Sequence, residues 1–114
     1  MVQKSLVAIK SSRFESGMIE VIDIRTLNPV DWDTLYSSVT KTGKVLIVHE
    51  DTITGGLGGE ISARITENLF EELDGPIKRV GAKDCHIPYH TDLEDVILPQ
   101  TNDIVEAIEE IMEY

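Results

Sequence analysis

The chain has 114 residues, 41% of them apolar, enough for one domain with a core of its own. Asp and Glu outnumber Lys and Arg by 21 to 10, a formal charge of -11, and a field of that sign repels phosphate backbones and anionic lipid. Nucleic acid and membrane surfaces therefore lose ground as partners, and a basic protein gains it.

In chain order, Lys4–Ile9 (KSLVAI) and Ile19–Ile24 (IEVIDI) read as short β-branched strands. Only Lys10–Met18 separates them, too short and polar for the dozen or more residues of a parallel crossover. The first strand is thus expected antiparallel, at an edge or outside the sheet. Pro29 and Asp31 open a helix through about Lys41, with Asp31 as N-cap and Gly43 as its stop. Lys44–His49 (KVLIVH) has the unbroken apolar centre of a strand covered on both faces. A glycine-rich turn, Thr54–Gly59, leads into a helix to about Leu73, with Leu57, Ile61, Ile65 and Leu69 as its buried stripe. Ile77–Val80 reads as another strand, and Gly81–Gln100 as irregular. A last helix starts near Thr101 or Asn102, either able to cap it, with Ile104, Val105, Ile108, Ile111 and Met112 on its apolar face. The alternation predicts a three-layer α/β/α domain with a mainly parallel sheet.

Chemistry has few footholds. The cluster TGGLGGE (Thr54–Glu60) lies where phosphate loops sit, yet it matches neither GxGxxG nor a P-loop, and Glu50, Asp51 and Glu60 surround it. Close helix–sheet packing is the competing reading. His49-Glu50 ends the central strand at the edge where open sheets place ligands; it could serve as a general base or a subunit contact. Asp84, Cys85, His86 and His90 match no familiar zinc spacing, and the single cysteine allows no intrachain disulfide. No apolar run approaches the roughly 18 residues of a membrane helix, and the N-terminus does not look like a signal peptide.

The acidic end says more. From Asp92 to Tyr114 there are eight carboxylates and no Lys or Arg. Glu106, Glu109, Glu110 and Glu113 fall away from the isoleucines and near a helix C-terminus, where the dipole disfavours negative charge. A uniform sign there points to a cationic partner, and Glu71, Glu72 and Asp74 add a second acidic patch.

Taken in order, EVIDIRTLNPVD (Glu20–Asp31), TGKVLIVHE (Thr42–Glu50), TGGLGGEISARI (Thr54–Ile65), GPIKRVGAKDCHIPY (Gly75–Tyr89) and LEDVILP (Leu93–Pro99) resemble the C-terminal domain of the E1 β subunit of 2-oxoacid dehydrogenases. That family covers the pyruvate, branched-chain 2-oxoacid and acetoin enzymes, with transketolase-like relatives. The resemblance implies a domain that packs subunits and docks the basic subunit-binding domain of the E2 acyltransferase, with thiamine diphosphate bound elsewhere in the parent enzyme and no cofactor here. It implies the E1 α subunit and the N-terminal region of E1 β as neighbours, and a homo-oligomer. Asp74 and the terminal Tyr114 with its carboxylate are its docking positions; Glu110, Glu113, His49 and Glu50 join them as interface candidates. The domain proper is expected over 20–114. Residues 1–19 depart from the pattern, with most of one family helix expected missing. That would leave a sheet face partly uncovered and favour self-association, in a piece of a longer protein or a degenerate product. The compartment implied is the cytoplasm, or the mitochondrial matrix in a eukaryote. The competing class is a small nucleotide-binding or oligomerising regulatory domain.

Overall fold

Side chains of a strand alternate between its two faces, and that alternation sets the layers of this molecule. A computed structural model describes residues 1–25, 29–84 and 91–114, the side chains of Ser16 and Thr91 apart. Strands β1 (Leu46–Thr52) and β2 (Lys78–Ala82) pair in parallel, with Leu46 opposite Lys78 and Val48 opposite Val80. Leu46, Val48 and Val80 face helices α1 (Val2–Ser11) and α5 (Thr101–Glu113), which bury Ala8, Ile9, Ile104, Ala107 and Ile108 against them. Ile47, with Val45 and Ile77, faces α2 (Trp32–Thr42) and α3 (Leu57–Leu69), where Val39, Ile61 and Ile65 are buried. The expected α/β/α layering is present, as two apolar clusters on either side of one parallel pair.

Helix boundaries follow local chemistry. Asp31 caps α2: its carboxylate accepts from the Thr34 backbone N–H at 3.2 Å and from the Thr34 hydroxyl at 2.7 Å. Gly43 ends the helix at φ 76°, a left-handed conformation that an L side chain resists. The stripe predicted for α3 packs inward, with Ile65 only 1% exposed.

Several expectations are corrected. Lys4–Ile9 is not a strand but part of α1, because Ala8 and Ile9 reach the core only when their neighbours Leu6, Val7 and Lys10 turn outward on a helix. The short link after it ceases to be a topological problem. The sheet face expected to lack a helix is covered by α1 packed on α5. Ile19–Ile24 forms no strand, since it finds no ladder partner among the described residues; Ile19 and Ile24 instead pack on opposite apolar clusters. The third helix stops at Leu69, and a 3-10 turn, Phe70–Glu72, completes the approach to Leu73. The stretch read as irregular contains α4 (Thr91–Ile97). The N-cap of α5 is Gln100, not Thr101 or Asn102, and its backbone N–H donates to the Asp103 carboxylate at 2.8 Å.

Candidate docking and assembly surfaces

The two ends of the sheet differ in chemistry. At the carboxyl end, Val48 pairs with Val80 but Thr52 with Ala82, so β1 carries two extra residues in a bulge over His49–Asp51. The bulge closes on glycines from three places. A Cβ on Gly81 would stand 2.7 Å from His49 Cε1 and 2.8 Å from the Asp51 carbonyl; one on Gly58 would run into His49 Nε2, and one on Gly56 into the Thr52 carbonyl. Gly56 and Gly58 of the cluster, with Gly81 of β2, thus allow close packing around the His49 ring. Neither ring nitrogen of His49 meets a hydrogen-bond partner among the described residues, and both are shut off from solvent. Glu50 is exposed.

The turn above is tied down by Asp84. Its carboxylate accepts from the Thr54 backbone N–H at 3.0 Å and from the Thr54 hydroxyl at 2.5 Å, while Arg79 Nη1 donates to the Ile53 carbonyl at 2.9 Å. The Thr54 hydroxyl, then its N–H, hold the Asp84 carboxyl below the usual range, with a smaller contribution from the Arg79 charge. These residues do not fit a diphosphate group: a protein carboxylate already occupies the donors, and the imidazole fills the space the glycines open. Cys85, His86 and His90 lie outside the described residues; among those described, no group of three His, Cys, Asp or Glu converges on a metal position.

The amino end gathers the acidic candidates. Tyr114 packs on Gly75, the residue after Asp74 and thirty-nine positions away in sequence: a Cβ on Gly75 would lie 2.8 Å from Tyr114 Cδ1. Tyr114 packs one part of its ring there and leaves 75% of the residue exposed. The Asp74 backbone N–H donates to the Gly43 carbonyl at 2.7 Å, and its carboxylate occupies the space where a Gly43 Cβ would stand. Glu110 pairs with Lys78 at 2.9 Å, Glu113 pairs with Arg13, and Lys44 Nζ donates to the Met112 carbonyl at 3.3 Å. Asp74, Tyr114, Glu110 and Glu113 thus share one end of the molecule, while His49 and Glu50 belong to the other half of β1. The cations Arg13, Lys44 and Lys78 were not singled out by sequence reasoning. Their only signal was that α5 has no basic residue in its last turn and must find countercharge elsewhere.

This geometry has known counterparts. A family model described as the transketolase C-terminal domain matches residues 1–104, the first nineteen included. The chain belongs to the transketolase C-terminal domain family. The domain is 40% identical over all 114 of its residues to the pyruvate dehydrogenase E1 component subunit beta of Staphylococcus aureus, and 40% identical to that of Staphylococcus epidermidis. It spans only 35% of the length of each, corresponding to their C-terminal part. A solved structure described as a split-gene transketolase, an inactive beta4 tetramer, matches with a TM-score of 0.74 and 26% identity over 97% of this chain and 35% of that one.

Proposed function

We propose that this domain is a non-catalytic assembly and docking module of a thiamine-diphosphate-dependent 2-oxoacid dehydrogenase E1 β subunit. Its E1 α partner, the rest of E1 β and the cofactor site would lie beyond its own residues, and its parent reaction would be oxidative decarboxylation with acyl transfer to lipoyl-E2. The observation that carries the docking reading is the packing of the exposed Tyr114 ring on Gly75, next in sequence to the exposed Asp74. An exposed carboxylate near a largely exposed aromatic ring suits a basic partner: the ring supplies contact area with few rotatable bonds, and the charge supplies orientation. Oxidoreductase activity belongs to the assembled enzyme, in the cytoplasm or a mitochondrial matrix.

The test is a calorimetric titration with the subunit-binding domain of an E2 acyltransferase. Binding that weakens as salt is raised supports docking, because exposed charges are screened within about 8–10 Å at physiological ionic strength. Absent or salt-independent binding would sink it. A parallel titration with thiamine diphosphate should give no heat.

A further inference from the structure

We propose that the Gly43–Lys44 dipeptide is a positioning device for the amino-end surface, with Lys44 holding the end of α5 so that the Tyr114 ring stays seated beside Asp74; this rests on the docking reading above. Two adjacent residues touch both halves of the surface. The Gly43 carbonyl receives the Asp74 N–H, and its left-handed, side-chain-free backbone makes room for the Asp74 carboxylate. One residue on, the Lys44 ammonium reaches the Met112 carbonyl, two residues before Tyr114.

The last carbonyls of a helix lack intrahelical donors, and its C-terminus repels negative charge. Helix α5 aggravates both problems, since its final turns carry Glu109, Glu110 and Glu113 and no basic residue. The compensation comes from outside: Arg13 after α1, Lys78 from β2, and Lys44. Of the three, Lys44 is the one bonded to the helix backbone itself, so it fixes the helix end and not a Glu side chain. The stop of α2 thereby sets the spacing between Asp74 and Tyr114.

The prediction has a sign that simple electrostatics would reverse. Lys44→Met makes an acidic protein more acidic and, through long-range attraction alone, should tighten binding of the basic E2 subunit-binding domain. Positioning requires the opposite, a weakening of about threefold to tenfold, the ordering cost of one contact side chain. Lys44→Arg should restore wild-type affinity, and Asp74→Asn, titrated alongside, should lose most of it. Equal or tighter binding by Lys44→Met, with wild type binding and Asp74→Asn impaired, overturns the positioning role while leaving docking intact. If wild type does not bind, docking falls, and nuclear Overhauser contacts between the Tyr114 ring and Gly75 decide positioning. They should disappear in Lys44→Met and persist in Lys44→Arg; their survival in Lys44→Met overturns the proposal.

Discussion

Alanine usually stabilises a helix that held glycine, by up to about 1 kcal/mol. At Gly58 the sign should invert, because its Cβ would collide with the His49 imidazole, whose ring nitrogens are shut off from solvent. Overpacking of this kind costs about 1–3 kcal/mol. Urea unfolding of Gly58→Ala should show that loss, and the double variant Gly58→Ala with His49→Ala should lose less than the two singles summed, since the colliding partners are both reduced. Carboxylates give a second residue-scale expectation. Bonds from Thr34, from Thr54 and from Lys41 with Ser38 hold Asp31, Asp84 and Glu20 below their ordinary values. A carboxyl depressed by folding stabilises above its unfolded value, about 4, and that contribution is lost as pH falls through the folded value. The stability difference between wild type and Asp84→Asn should therefore be present at pH 7 and shrink toward zero on acidification. A difference that stayed constant with pH would show that the Thr54 bonds do not depend on charge.

Among the elements, the two apolar clusters behave as separate cores. Ile65 and Ile104 are each 1% exposed, but Ile65 packs with α2 and α3 while Ile104 packs with α1 and α5 across the sheet. Ile65→Val and Ile104→Val should each cost about 0.5–1.5 kcal/mol. The double variant should add to within about 0.5 kcal/mol, as sites without shared partners do. Strong non-additivity in chemical denaturation would mean that the sheet transmits packing strain. The Asp31 cap, the Gly43 stop and the four-residue stripe of α3 are local signals, and each was legible. Lys4–Ile9 was not: six residues rich in β-branched and apolar types suit strand or helix alike, and only contact with α5 decides between them. The segment 19–24 has strand propensity but no described neighbour to pair with, and propensity without a ladder makes no strand.

For the whole molecule, the formal charge of -11 should govern how quickly a basic partner arrives more than how long it stays. Stopped-flow association with the E2 subunit-binding domain should slow steeply as salt rises, with a smaller change in dissociation. Glu110 and Glu113 contribute less to that field than their number implies, because Lys78 and Arg13 already face them. The sequence by itself determined the acidic sign, the strand–helix alternation, the capped helices and the family motifs, since charge, periodicity and turn chemistry are written in near neighbours. Only the tertiary structure decided that Asp74 and Tyr114 share an edge, that His49 is walled in by three glycines, and that Lys44 reaches the end of α5. Those pairings join residues from 7 to 68 positions apart. Their distances are set by how the layers stack on the sheet, which no local pattern encodes.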